Sequence, residues 1–381
     1  MRLLVITNDF PPRPGGIQQY VHNLLTRLDG VEITVLTSRW EGWEAFDADQ
    51  PFRVVRAPTG MLLPTRDALR RSIALVREAG PDLVLFGAAF PLGLMAGRIT
   101  AATGVPCMGF SHGVEVAMAR FPVARALMGR VAGELRLLTA VSGWAAARVR
   151  KAARDRCPVE LLVSGVSVHD YHPDVSGAAV RERHGLGSDP VCVCVSRLVP
   201  RKGQDVLIDA WPQVVAAVPA ARLLLVGGGP LEDKLRKRAA ASPVADRITI
   251  TGGVAWAELP SHYAAGDVFA MPCRTRWAGL DLEALGVVFL EAAATGLPVV
   301  AGDSGGAPET VAEGETGTVV NGRDRDAVGR AVAALLGDPD RAKARGAAGR
   351  RRVEAEFAWE AIAARFAALL ERAASRDGAG R

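Results

Sequence analysis

The sequence predicts an α/β protein built from two doubly wound parallel sheets. Strand-length apolar runs alternate with helix-length amphipathic runs along most of the chain. Strands that are apolar on both faces and separated by helices belong in a parallel sheet covered on both sides. The 381 residues also exceed what one core of about 150 residues organises. Finally, Gly, Ser, Pro and His gather at 164–189, between two stretches of the same rhythm. The expected units are an N-terminal one at 1–170, a C-terminal one at 171–355, and a closing helix at 356–381 that packs back toward the first.

In the first half, strands are expected at 3–7, 33–37, 53–57, 83–86, 108–111 and 137–141, with helices at 17–28, 66–79 and 92–102. In the second half, strands are expected at 191–195, 223–226, 248–251, 268–271, 298–301 and 318–320. Helices fall at 204–215, 231–239 and 287–295. The tail at 341–374 reads as helical, with Phe357, Trp359, Ile362, Phe366 and Leu369 as one buried stripe. The last residues, 375–381, are expected to fray.

Composition narrows the function. Hydrophobic residues make up 49% and charged ones 23%, which describes a packed rather than a disordered chain. No apolar run approaches the roughly 20 residues of a spanning helix. The N-terminal run MRLLVI is too short for a signal peptide, so a cytoplasmic location is expected. Five cysteines without a C-x-x-C pair read as small buried hydrophobes. The net charge of +5 falls wholly in residues 1–170, where 20 Lys+Arg meet 15 Asp+Glu; the remainder has 26 of each. An anionic partner for the first half is one reading and chance the other. No platform of alternating aromatic and basic residues points to nucleic acid.

Ligands of doubly wound sheets bind beyond the carboxyl ends of the strands, so the loops after strands hold the candidates. The first is Asn8-Asp9-Phe10-Pro11-Pro12-Arg13-Pro14-Gly15-Gly16. Its glycines allow close approach of a ligand, and the following helix start favours an anion. An ordinary strand–helix turn has the same look. The second is Ser111-His112-Gly113-Val114-Glu115, where a glycine could expose His112 to a ligand. The third is Ser196–Gly203, in which Arg197 and Lys202 could hold a diphosphate, Arg as a fork and Lys as a point charge. The fourth runs from Gly279 to Glu291. Gly286 suggests a break, with Glu283 in a loop and Glu291 inside a helix. The N–H groups around Gly286, Val287 and Val288 would then face a phosphate. Glu291, among apolar neighbours, needs a partner such as a ribose hydroxyl pair. The cluster Gly227-Gly228-Gly229 reads as a tight turn.

The segments NDFPPRPGGIQQY, SHGVEV, SRLVPRKGQD, EALGVVFLE and GLPVVAGDSGGAPE occur in an order that resembles the retaining GT-B glycosyltransferases of the glycogen-synthase-like and sucrose-synthase-like group. Within it, NDFPPRPGGIQ, SRLVPRKGQD and FAMPCRTRWAGLDLEALGVVFLEA look like the bacterial GDP-mannose-dependent phosphatidylinositol mannoside mannosyltransferases. Trp277-Ala278 depart from that pattern, which is richer in glycine there. The resemblance implies the GT-B fold, two Rossmann-like domains facing across a cleft. It implies that Arg197 and Lys202 hold the donor diphosphate, Glu291 its ribose and Glu283 the hydroxyls of the transferred sugar. His112 would lie near the sugar's 6-hydroxyl and Gly16 against donor phosphate or acceptor. It further implies transfer with retention, α-1,6 linkage to inositol, no cofactor and no metal. The D-x-D segments Asp47-Ala48-Asp49 and Asp324-Arg325-Asp326 are read as solvated loops.

The basic first half then has a use at an anionic lipid surface. Arg53, Arg56, Arg66, Arg70 and Arg71 surround Met61-Leu62-Leu63, and the stretch 118–136 mixes Arg120, Arg125, Arg130 and Arg136 with apolar residues. A charged, half-buried helix is the alternative. Acceptor or membrane contact is expected at Asp9, Gly15, Gly16, Gln18, Met61, Leu62, Arg66, Arg70 and Arg71. The competing functions are a UDP-sugar transferase, a nicotinamide oxidoreductase and a sugar-binding protein without activity. The second lacks its G-x-G-x-x-G turn, and the third has no need of both Glu283 and Lys202.

Overall fold

The computed structural model describes residues 1–113 and 121–375. Val114, Glu115, Met118, Arg120 and the end of the tail lie outside the described residues. Two compact units form. One comprises Met1–Gly165 together with the chain from Trp359 on, and the other Val166–Ala358.

The first unit holds β1 (Arg2–Ile6), β2 (Glu32–Ser38), β3 (Arg53–Ala57), β4 (Leu83–Phe86), β5 (Cys107–Ser111), β6 (Leu137–Ala140) and β7 (Val159–Leu161). They pair in parallel in the order β3-β2-β1-β4-β5-β6-β7. The three-residue β7, sequence VEL, is too short and too mixed to signal itself and was not expected. In β1, Leu4 and Ile6 enter one core with Leu36 and Phe86, while Leu3 and Val5 enter the other with Phe110 and Phe366. This period of two explains why the strand reads as apolar throughout.

The second unit holds β8 (Val191–Val195), β9 (Arg222–Val226), β10 (Ile248–Gly252), β11 (Val268–Met271), β12 (Val299–Gly302) and β13 (Gly317–Val320). Their order is β10-β9-β8-β11-β12-β13, again parallel. The order reverses beside β1 in one sheet and beside β8 in the other. The loops after those strands therefore occupy the switch points where such sheets bind ligands.

The tail is two helices, Pro339–Glu356 and Trp359–Ala374. Phe357 leaves helical geometry because Val166 N–H donates to its carbonyl at 2.9 Å and Ala358 pairs with Val166. The expected stripe is buried but divided. Trp359, Ile362, Phe366 and Leu369 enter the first unit's core, whereas Phe357 belongs to the second unit. All five cysteines are free and buried. Among the described residues no helix is long and apolar enough to cross a membrane.

Candidate active site

In the second unit, β8 delivers the chain into Ser196–Val199, a short turn Pro200–Lys202, and the helix Gln204–Ala217. Gly203 joins turn to helix at φ 82°, where a Cβ would lie 2.1 Å from the Pro272 carbonyl oxygen. Only glycine fits that approach. Buried Gln204 donates to Ser196 Oγ at 2.7 Å and to the Arg197 carbonyl at 3.2 Å. Arg197 is thus held by its backbone while its side chain is exposed.

Lys202 is buried with its Nζ 2.8 Å from Glu283 Oε2, and Arg201 Nε lies 3.6 Å from the same oxygen. The contact is a close ion pair. Burial pushes the Glu283 carboxyl up, but Lys202 and then Arg201 outweigh it, and its pKa lies below the usual value. Arg201 also reaches Asp281 Oδ1 at 3.3 Å, and Arg276 reaches Asp281 Oδ2 at 3.5 Å.

The Glu283 backbone is fixed from the other side. Its N–H donates to Ser304 Oγ at 3.1 Å, and its carbonyl accepts from Gly306 N–H at 3.0 Å. Gly305 passes so close that a Cβ would stand 2.0 Å from that carbonyl. Trp277 and Ala278 adopt φ of 48° and 51° just before Gly279. These are left-handed values, uncommon for residues other than glycine.

Gly286, at φ 95°, caps the helix Val287–Ala294 without a side-chain cap. Glu283 precedes the helix and Glu291 lies inside it, so the two carboxylates are not on one helix face. Glu291 is buried, and its Oε2 accepts from the Tyr263 hydroxyl at 2.6 Å. Burial raises its pKa, and the Tyr263 bond and Lys202 offset only part of that. The partner foreseen as a sugar hydroxyl is, in this structure, a tyrosine.

In the first unit, β1 delivers the loop 8–15 and the helix Gly16–Leu25. Gly16 is exposed, and a Cβ there would meet nothing within 4 Å. Gln18 Nε2 donates to Asp9 Oδ1 at 2.8 Å, while Asn8 exchanges two hydrogen bonds with the Leu62 backbone at 2.8 and 2.6 Å. His112 Nε2 lies 2.6 Å from the Gly87 carbonyl, which can only accept, so this nitrogen carries the proton. Its ring meets Tyr20 edge-on at 5.5 Å.

Several expectations need correction. Leu62 is buried at 3% exposure and cannot touch a membrane; its neighbours Met61 and Leu63 are half exposed. Gln18 is likewise buried, and Gln18 and Asp9 are committed to each other. Arg56 is not a surface cation, because its side chain is 2% exposed and paired with Asp47 at 2.7 Å. Asp47 is therefore no solvated loop residue, whereas Asp324, Arg325 and Asp326 are exposed as expected, with Asp324 capping the helix Arg325–Leu336. Arg66, Arg70 and Arg71 are exposed on the helix Arg66–Ala79, with Arg70 and Arg71 sharing Asp67.

Sequence reasoning missed Tyr263, Ser304 and the Arg56–Asp47 pair. Only the glycines of GDSGGAPE gave a signal for the Glu283 support.

Residues 178–352 match the family model for glycosyl transferases group 1, and residues 14–170 that for glycosyltransferase family 4. The chain is 47% identical over 376 residues to the GDP-mannose-dependent alpha-(1-6)-phosphatidylinositol monomannoside mannosyltransferase of Mycobacterium tuberculosis, covering 97% of this chain and 98% of that protein. The chain is a group 1 glycosyltransferase of the GT-B fold. This glycosyltransferase is also 42% identical, with the same coverage of both chains, to the GDP-mannose-dependent monoacylated alpha-(1-6)-phosphatidylinositol monomannoside mannosyltransferase of Corynebacterium glutamicum. Its fold matches Anabaena HepE, solved with UDP, at a TM-score of 0.84 and 19% identity, over 97% of this chain and 100% of that one.

Proposed function

We propose that the chain transfers mannose from GDP-mannose to a phosphatidylinositol mannoside, forming an α-1,6 bond with retention of configuration. The observation that carries this is the buried Lys202–Glu283 ion pair at the second unit's switch point. The donor and acceptor come from the names of relatives that match nearly the whole chain.

In this reading Lys202 leaves Glu283 for the donor diphosphate, which Arg197 also grips, and the N–H groups of Val287 and Val288 face it across Gly286. Negative charge grows on the diphosphate as the glycosidic bond breaks, and preorganised donors stabilise that charge more than the ground state. Glu283, released from Lys202, accepts hydrogen bonds from hydroxyls of the mannose. Glu291, oriented by Tyr263, receives the ribose. His112, Gly15 and Gly16 in the first unit meet the reacting sugar or the acceptor, with Asp9 and Gln18 shaping the loop beneath. A donor phosphate oxygen takes the acceptor's proton, so no side chain need act as base. The protein works at the inner face of the membrane, held peripherally through Met61, Arg66, Arg70 and Arg71.

The test incubates purified protein with GDP-mannose and membranes containing phosphatidylinositol monomannoside, and follows mannose into lipid. Transfer by the parent chain that disappears in Lys202→Ala and Glu283→Ala is expected. A melting temperature raised by UDP and untouched by GDP would sink the donor assignment.

A further inference from the structure

The loop from Asn8 to Gly15 is short of backbone support. Pro11, Pro12 and Pro14 have no N–H, and none of these residues donates a backbone hydrogen bond to another backbone group. What holds the loop is side chains: Gln18 on Asp9, Arg13 over the Trp40 ring, and Arg56, which reaches in from β3. Its NH2 donates to the Pro11 carbonyl at 2.7 Å and to Asp47 Oδ1 at 2.7 Å. Its Nε donates to Asp47 Oδ2 at 3.0 Å, and its NH1 to the Ser38 carbonyl at the end of β2 at 2.9 Å. One guanidinium thus joins β3, the end of β2, the helix Trp43–Ala48 and the loop. It also lies 5.7 Å above the ring of Phe10, which is buried among His22, Phe46 and Phe52.

We propose that Arg56 and Asp47 are a positioning pair that sets the place of Pro11, and through it of Gly15 and Gly16 at the start of the helix. This rests on the reading above that Gly15 and Gly16 meet the reacting sugar or the acceptor. The side chains of Arg56 and Asp47 are 2% and 13% exposed. A pair so buried adds little net stability over an apolar pair of the same volume, because desolvation offsets its attraction. Its planar fork does impose geometry, and lysine cannot reproduce that geometry. Arg56 touches no reacting atom in this account and acts through the Pro11 carbonyl.

The experiment compares the parent with the double variant Asp47→Leu/Arg56→Met, which removes both charges together, and with Arg56→Lys. Four quantities are read: kcat and KM for mannose transfer, GDP affinity by calorimetry, and amide hydrogen exchange at residues 15–19. The double variant is expected to lose transfer by at least about tenfold, since small misplacements at a reacting site have effects of that order or more. GDP affinity, carried by the second unit, stays within about twofold, and exchange at 15–19 rises. Arg56→Lys shows the same changes at smaller amplitude and carries the test if the double variant does not fold. Unchanged exchange at 15–19 overturns the proposal, whatever happens to transfer. So does raised exchange with undiminished transfer. If the parent transfers no mannose at all, the functional reading fails instead, and exchange alone decides for or against the clamp.

Discussion

The loops after β1 and β8 hold the same topological place and are secured in opposite ways. The β1 loop is tied by side chains, namely Asn8 to Leu62, Gln18 to Asp9 and Arg56 to Pro11. The β8 loop is tied largely by backbone, with Gly203 pressed against Pro272 and Gly227 so close to Ser196 that a Cβ would lie 2.2 Å from its carbonyl oxygen, and by the one side chain of Gln204. Side chains spent on holding a loop are withdrawn from chemistry. A loop held by backbone leaves its side chains for other partners: Arg197 is exposed on this one, and Lys202 pairs with Glu283.

That contrast can be broken or sharpened by substitution. The largest effect is expected for Lys202→Ala, with transfer falling by about 10²–10³-fold through loss of charge stabilisation. It also strands Glu283. With the ammonium present the carboxyl sits below 4.5. The pair's stabilisation is therefore present above that value and lost as pH falls through the lowered one. In Lys202→Ala only Arg201 is left to oppose burial, so the stability deficit should be greatest near neutral pH and shrink on acidification. Denaturant melts from pH 7 to pH 3 check this, and a deficit independent of pH would mean the charges are not coupled.

Next comes the backbone. Gly203→Ala should destabilise by at least about 3 kcal/mol, from the left-handed φ and the clash together. Gly16→Ala, with open space around the new carbon, should stay within about 1 kcal/mol. Equal midpoint shifts in urea would erase the contrast between the loops.

Glu291→Gln is subtler. Burial holds this carboxyl above 4.5, so folding favours its protonated form. That contribution is full below pH 4.5 and lost as pH rises through the raised value. A neutral Gln accepting from Tyr263 should therefore be as stable as Glu at pH 7, or more so by about 1 kcal/mol, with the advantage vanishing in acid. Transfer should still fall, because the proposed ribose contact is weakened. Lower stability at pH 7 would show that the charged form is the favoured one.

The smallest effect is expected for Arg66→Glu/Arg70→Glu/Arg71→Glu. Cosedimentation with anionic vesicles should weaken by roughly 1 kcal/mol per charge, with folding unaffected. Unchanged cosedimentation would remove the patch from the membrane reading.

The sheets were legible because strands buried on both faces carry an unmistakable apolar run, and only β7, with three residues, escaped. Lys202 and Glu283 were legible because their loops follow such strands. Tyr263 was not, since its contact with Glu291 spans 28 residues and a tyrosine in a short helix has no periodicity that names its partner. Arg56 misled for a related reason. An arginine on an edge strand looks solvated until Asp47 and Pro11 close over it, and nothing local to 53–57 announces that closure. The division of the tail's stripe was not legible, because Phe357 sits in a helical stretch and is held out of the helix by Val166, nearly 200 residues away.

The buried thiols offer a built-in reporter. Cys107 and Cys157 lie in the first unit and Cys194 and Cys273 in the second, and burial pushes each up to about 12. Folded, they are almost wholly protonated and shielded from alkylating reagents. Modification then waits on local opening, and its rate measures how often each unit opens. Mass spectrometry of peptides bearing each cysteine would time the two units separately in one unmodified sample.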